Sequence, residues 1–276
     1  MTSAREERIA PTAYYTAYAW HRLGLPHAAL FRHRRGALLY WSFRLGGEWL
    51  LSRLSGSPLL VASLEVRHRS IEWAIERRAP DRVVELGAGL SRRGVTWAAD
   101  RAVAFVEFDL PHVIATKRAL LERRASPRLL TTLGRALELR GVDVLGDEFS
   151  PNLERALAGA ARPVVVAEGL LSYFDRAQQR RVVEAVARAL PAGGALVIDV
   201  RVRKGRSNAA LHGLRAGIRV ATRGRGSGED FATDADVEAL LRDAGFGEAR
   251  PIDPGEVPGL AGRASLSSVW VASAAS

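Results

Sequence analysis

The stretch Arg82-Val-Val-Glu-Leu-Gly-Ala-Gly-Leu-Ser-Arg-Arg-Gly94 constrains the fold more than any other part of this chain. Val83, Val84 and Leu86 around Glu85 suit a strand buried on both faces. Gly87-Ala88-Gly89 then turns sharply, and the missing side chains at 87 and 89 let backbone approach a ligand where a Cβ would collide. Ser91 can cap a helix continuing through Trp97 and Ala98. A strand, a glycine turn and a helix N-terminus in that order make the nucleotide cradle of a doubly wound sheet.

The chain beyond repeats this alternation. A second strand is expected at Ala102–Phe108 with Glu107 and Asp109 at its end, and Pro111 opens a helix ending near Arg124. Leu137–Val144 holds a third strand with Asp143 near its end, Asn152–Leu157 a short helix, and Pro163–Ala167 a buried fourth strand followed by Glu168. The amphipathic stretch Gln178–Leu190 stops at Pro191 and Gly193-Gly194, and Ala195–Val200 is a fifth strand. Strands alternating with such helices predict right-handed crossovers and a parallel sheet. Asp234 is expected to cap a helix through Leu241, and Ser265–Ala272 to close the chain as the last strand of a hairpin. The fold class is therefore α/β: a doubly wound, Rossmann-like, seven-stranded and mostly parallel sheet with one antiparallel strand, plus an N-terminal helical cap.

The cap covers residues 1–75, which read as helical. Tyr14, Tyr18 and the neighbourhood of His21 share one face. From Phe31 to Leu54 apolar and aromatic residues (Leu38, Leu39, Trp41, Phe43, Trp49, Leu50, Leu51) alternate with Arg32, Arg34, Arg35 and Arg44. Two readings fit: a basic amphipathic helix on a membrane surface, or helices packed over the mouth of the nucleotide domain. Gly46-Gly47 and Gly56-Ser57-Pro58 chop the segment short and favour the second. Arg67–Arg78 forms one more helix, with Ile71 and Ile75 inward.

Composition removes whole classes of chemistry. There is no cysteine, hence no disulfide, no thiolate metal site and no cysteine nucleophile of the kind that methylation at pyrimidine carbon 5 requires. No metal site is expected. No secretion signal follows Met1 and no apolar run could span a bilayer, so a cytoplasmic location is expected. The formal charge is +10, yet of 40 lysines and arginines only Lys117 and Lys204 are lysines. That bias, beside abundant alanine, reads more as a coding background than as selection for nucleic acid, although a basic surface attracts polyanions.

Four acidic positions recur at strand ends: Glu85, the Glu107/Asp109 pair, Asp143 and Glu168. Those ends line the ligand crevice of a doubly wound sheet. The third glycine of the dinucleotide fingerprint is missing, Arg92 standing in its place, and an acid beside Gly-x-Gly suits a ligand with an amino group better than a pyrophosphate. S-adenosylmethionine is such a ligand. An acid after the second strand suits ribose hydroxyls, one after the third an adenine amine, and those near the first and fourth the ammonium and sulfonium charges.

Leu86-Gly-Ala-Gly-Leu90, Glu107-Phe-Asp-Leu-Pro111 with Lys117 further on, and Ala167-Glu-Gly-Leu-Leu-Ser-Tyr-Phe174 resemble the leucine carboxyl methyltransferase family, which includes bacterial polyketide-linked O-methyltransferases. Arg67 in the helix before the first strand and Val142-Asp-Val144 match in order and approximate spacing, so the likeness runs from about Thr12 to Val200. It implies an O-methyltransferase of class I using S-adenosyl-L-methionine. Gly87, with Gly89, would hold the methionine portion; Asp109, with Glu107 nearby, the ribose; Asp143 and Val144 the adenine. Glu85 and Glu168 would sit near the amino and sulfonium charges, Arg67 would hold a carboxylate of cofactor or acceptor, and Tyr173 would lie near the acceptor. Arg67 and Tyr173 are the catalytic candidates.

The family usually has Asp-Thr-Arg after Gly-Ala-Gly-Leu, whereas this chain has Ser91-Arg92-Arg93. The departure bears on the acceptor, expected to be a carboxyl or hydroxyl of a small molecule or peptide terminus. Residues 76–276 would form the cofactor domain, with 202–233 a basic insertion on the acceptor side. Between Arg203 and Arg225 lie seven basic residues and no acid, hinting at an anionic acceptor. That segment also motivates the alternative of an RNA methyltransferase, against which no Asn/Asp-Pro-Pro-aromatic motif is found; no specific nucleic acid is expected. A binding protein that kept the fold without turnover is a third reading.

Overall fold

The structure is a computed structural model, and it describes residues 11–45, 53, 59–203 and 228–275. Most of the basic run Arg203–Arg225, His212, and the stretch holding Trp49, Leu50, Leu51 and the two glycine breaks lie outside the described residues.

The alternation read from the sequence builds a seven-stranded sheet. Its strands are β1 (Arg82–Leu86), β2 (Ala104–Asp109), β3 (Leu137–Gly141), β4 (Pro163–Ala167), β5 (Ala195–Val200), β6 (Phe246–Pro251) and β7 (Ser268–Ala274), in the spatial order β3-β2-β1-β4-β5-β7-β6. Neighbours from β3 to β5 pair in parallel, and β7 runs antiparallel to both β5 and β6. The order reverses between β1 and β4, so the ligand crevice belongs above the carboxyl ends of those two strands.

The helices are α1 (Pro11–Arg22), α2 (Arg34–Phe43), α3 (Leu60–Arg78), α4 (Arg93–Asp100), α5 (Pro111–Arg124), α6 (Pro127–Ala136), α7 (Phe149–Leu157), α8 (Arg176–Ala189) and α9 (Asp234–Asp243). On one face of the sheet Val84, Leu86, Phe108, Val165 and Ile198 pack against Leu153, Val182, Val186 and Leu241. On the other, Val83, Phe105, Val164 and Val197 pack against Val66, Ile71 and Ile75 of α3. Helix α3 is thus a sheet-covering helix, and it crosses the boundary at residue 75 drawn between cap and cofactor domain.

Several element boundaries differ from the sequence reading for local reasons. Strand β2 begins at Ala104, because Ala102 sits at φ 54, outside strand geometry. Strand β3 ends at Gly141; Asp143 turns the chain, its Oδ1 accepting from the Leu145 N–H at 2.9 Å. Helix α4 starts at Arg93, and Ser91 serves it from one position early, its hydroxyl accepting the Arg93 N–H at 3.1 Å. Thr233, one residue before Asp234, caps α9 in a capping box with Asp236. Helix α6 was not anticipated, although Ser126-Pro127 is an N-cap followed by a proline at N1.

The cap sits on the glycine turn. Tyr14 and Ala17 of α1 share a core with Leu90, Val95 and Ala98, and a Cβ added at Gly89 would meet the Ala13 Cβ at 3.5 Å. Helix α2 in turn packs on α1: a Cβ at Gly36 would strike the Tyr14 carbonyl oxygen, so only glycine permits this crossing. No helix among the described residues is long and apolar enough to cross a membrane.

Candidate functional site

The site is built from the strand ends. Gly87 and Gly89 both adopt left-handed backbone, φ 65 and φ 53, which explains the glycines of the turn. The Gly89 N–H donates to Asp109 Oδ2 at 2.6 Å and the Leu110 N–H to Asp109 Oδ1 at 2.7 Å. Asp109 therefore ties the first glycine turn to the end of β2. Burial raises its pKa above the ordinary range, against the two backbone donors.

The structure sorts the acidic positions into two groups. Asp109 and Glu168 are part-exposed and Asp143 is exposed, while Val144 beside it is buried. Glu85 and Glu107 are buried, at 2% and 0%. They face one another at the same register of β1 and β2. Glu107 pairs with Lys117 of α5, which is also fully buried, and Gly94 leaves the room: a Cβ there would overlap the Glu107 carboxylate. Burial holds Glu107 above its ordinary pKa although Lys117 opposes it. Glu107 thus lies beneath Asp109 in the interior.

Glu85 belongs to a second buried network whose hub is Arg93. The Arg93 guanidinium, 0% exposed, ion-pairs with Glu85 and Glu168 and donates from Nε to Glu72 Oε1 at 2.8 Å. Burial alone would depress its pKa, and the three carboxylates more than reverse that. Glu85 keeps one oxygen, Oε2, without a partner, and burial, with the like charge of Glu107, lifts it to about 7 despite Arg93.

His68 is 1% exposed and stacks on Trp20 of α1 at 4.4 Å. Its Nε2 lies 3.0 Å from Arg92 Nη2, and its Nδ1 lies 3.0 Å from Arg93 Nη2. Nδ1 is also 3.0 Å from Glu168 Oε2. Burial keeps His68 below its ordinary pKa, which favours a neutral ring. Arg92 is also tied to Thr96 Oγ1 at 2.9 Å.

Arg67, side chain 15% exposed, donates from Nε to Glu168 Oε1 at 3.1 Å and lies 3.4 Å from Asp199 Oδ2. Asp199, near the end of β5, also accepts the Gly169 N–H and so fixes the loop after β4. Burial pulls the Glu168 pKa up, but His68, Arg93 and Arg67 together hold it well below the usual carboxylate range. Tyr173, in the 3-10 turn Leu171–Tyr173, shares a 2.6 Å hydrogen bond with the Thr12 hydroxyl of α1. The loop carrying Glu168 and the cap carrying Trp20 thus close on the same strand ends.

Sequence reasoning missed His68, Glu72, Asp199 and Thr12, and saw Arg92 and Arg93 only as a departure. Arg93 occupies the third place of the family's Asp-Thr-Arg, the signal that could have marked it. Among the described residues no group of three or more histidine or acidic side chains could hold a metal.

The fold is shared with methyltransferase structures. A Thermobifida fusca protein provisionally named a methyltransferase superposes with TM-score 0.60 at 18% identity, over 98% of this chain and 97% of its own. A Bordetella parapertussis protein described as a possible exported protein gives TM-score 0.56 at 19% identity over 100% of both chains. Human N-acetylserotonin methyltransferase in complex with SAM gives 0.54 at 14% identity over 99% of this chain, which spans 64% of that protein's length. No curated protein matches the sequence. The sequence model described as leucine carboxyl methyltransferase matches residues 48–187, half of the chain, including Arg67, the glycine turn, Asp109, Asp143 and Glu168. This chain therefore belongs to the leucine carboxyl methyltransferase family of S-adenosylmethionine-dependent methyltransferases.

Proposed function

We propose that the chain is an S-adenosylmethionine-dependent O-methyltransferase acting on a carboxyl or hydroxyl of a small anionic molecule or a peptide terminus. The buried charge network at the strand ends carries this reading. Three guanidiniums (Arg67, Arg92, Arg93) stand against four carboxylates (Glu72, Glu85, Glu168, Asp199), with His68 neutral between them. With Glu85 ionised the network carries one negative charge, and Glu85 Oε2 is a buried carboxylate oxygen without a partner. A ligand bearing a sulfonium, an ammonium and one carboxylate has one net positive charge and fits that deficit. The residues present therefore suit the cofactor.

In this reading Gly87 and Gly89 admit the methionine portion, Asp109 takes the ribose hydroxyls, and Asp143 with Val144 flanks the adenine. Glu168 faces the positive charges and Arg67 a carboxylate. Glu85 and Glu107 support from beneath, Glu85 by fixing Arg93 and Glu107 by fixing Lys117. When bound, the cofactor supplies a methyl group on a strongly electrophilic sulfonium. A carboxylate or phenolate acceptor is already nucleophilic, so the protein has only to orient it and keep water out. Good orientation is worth roughly 7–11 kcal/mol. Helix α1, latched by Thr12 to Tyr173, is placed to exclude water. The basic segment 202–233 serves the acceptor side.

Titration calorimetry tests the reading. S-adenosylhomocysteine should bind the purified protein, and Asp109→Ala should abolish the heat without unfolding the chain. Absence of binding to the folded wild type would sink the proposal. Labelled cofactor incubated with host extract, followed by mass identification of the product, then names the acceptor.

A further inference from the structure

The exposed side of α2 is not explained by methyl transfer. At 3.6 residues per turn, Gly36, Tyr40 and Phe43 fall on the side that packs on α1. Leu38, Trp41 and Leu45, the last just beyond the helix, point the opposite way and are 69%, 40% and 81% exposed. Arg35 and Arg44 lie on the two flanks of that stripe, and Arg34 at its N-terminal end; all three are exposed. Arg22 of α1 places its guanidinium 5.6 Å from the Trp41 ring.

The helix and the chain leading to it are basic. Residues 8–47 contain no aspartate or glutamate. Arg124 of α5 binds the carbonyls of Leu30 and Arg32, which brings Arg123 and Arg124 to the same end. His33 is held below its ordinary pKa by burial and then by Arg35, Arg124, Arg123 and Arg34, with no acid among the causes.

We propose that this face of α2 docks the protein on a bilayer containing anionic lipid. Apolar Leu and Trp side chains flanked by arginines are what an interfacial helix presents, the stripe entering the acyl boundary while guanidiniums remain at the headgroups. Charge complementarity selects the occupant. A second copy of this chain would bring arginines against arginines with no acid to separate them. A phosphate backbone would satisfy the arginines but leave Leu38 and Leu45 against charge. An anionic bilayer satisfies both.

Co-sedimentation of the full chain with vesicles of phosphatidylcholine and phosphatidylglycerol in equal parts provides the test, phosphatidylcholine alone being the reference. Association should be strong with the mixed vesicles, weak with the neutral ones, and reduced by salt. Leu38→Gln with Leu45→Gln should weaken it roughly a hundredfold, from the apolar burial of two leucines. Arg34→Gln with Arg35→Gln should weaken it about twenty-five-fold, near fivefold per arginine.

Equal binding to both vesicle types, or none at low salt, would overturn the proposal. So would binding of a single-stranded oligonucleotide that displaces vesicles and survives the leucine substitutions, which would make the face a phosphate-backbone surface. A dimer of the wild type dispersed by the leucine substitutions would assign it to a second copy. A lower melting temperature of those variants without vesicles would show that the chain itself covers the face, and equally refute docking.

Discussion

Replacing Arg93 with methionine removes the guanidinium while retaining a long unbranched side chain. Its three carboxylate partners are not equally exposed to the loss. Glu168 keeps Arg67 and His68, and Glu72 keeps the Trp97 indole N–H at 2.9 Å and Arg92 at 3.9 Å. Glu85 keeps no ion-pair partner among the described residues and faces Glu107 across the strand pair. Breaking a buried pair from one side costs about 3–5 kcal/mol, a large share of the roughly 5–15 kcal/mol that holds a domain together. Most of that cost should fall on Glu85.

The pH dependence follows from the same carboxylate. Glu85 is already lifted to about 7, chiefly by burial, with Arg93 holding it down. Without Arg93 its folded pKa rises further, so in the variant stability continues to fall with rising pH above 7. The penalty of Arg93→Met should then be clearly larger at about pH 8.5 than at about pH 6, by about 1.4 kcal/mol per unit of added shift. Adding Glu85→Gln should restore about 1–3 kcal/mol at the higher pH and remove most of the difference between the two conditions. Urea unfolding of the wild type, both single variants and the double variant at each pH measures all of this. Should Arg93→Met fail to fold, Arg93→Lys, which keeps one charge but not the fork, should show about half the loss. A pH-independent penalty, or no rescue by Glu85→Gln, would refute Arg93 as the charge hub.

In the wild type, Glu85 is raised from 4.5 to about 7, so its contribution is fully present below 4.5 and is lost as pH rises through 7, a change of roughly 3 kcal/mol. Glu85→Gln should flatten that window in a melting-temperature series, whereas Glu168→Gln should act at the acid end, where its depressed pKa makes stability fall as pH drops. Lys117→Met should cost about 3–5 kcal/mol by stranding Glu107, and adding Glu107→Gln should return most of it, as read by thermal unfolding. Thr12→Val and Tyr173→Phe should each weaken cofactor binding by about twofold to tenfold, the value of one hydrogen bond, and together by no more than either alone; additive losses in calorimetry would mean the latch is not shared.

The strands and glycine turn were legible because their signals are local. Val83, Val84 and Leu86 state burial on both faces, and Gly87 and Gly89 satisfy a left-handed backbone that few other residues tolerate. Strand-end acids could be placed because a parallel sheet aligns all its carboxyl ends at one rim. What the sequence could not say is which acids face the ligand. Glu107 and Asp109 are two residues apart on β2 and so point to the same side of the strand, yet one lies in the interior on Lys117 and the other closes the glycine turn. Only Gly94, from the start of α4, makes room for the first. Depth below the rim is a tertiary property, and no spacing encodes it.

The Ser91-Arg92-Arg93 departure turns on the same distinction. Two adjacent arginines at a helix start read as solvated charge, since arginine is rarely buried without partners. Here the partners come from three other elements: Glu72 and His68 on α3, Glu85 on β1, Glu168 after β4. Arg92 and His68 are the pair that adjusts the network. His68 Nε2 lies 3.0 Å from Arg92 Nη2, and Nδ1 lies 3.0 Å from Glu168 Oε2. Arg92 therefore reaches Glu168 through His68. Arg92→Leu should free the His68 ring and disturb Glu168 while leaving Asp109 untouched. Cofactor analogues differing only in the sulfonium should report the loss, and those differing only in the ribose should not.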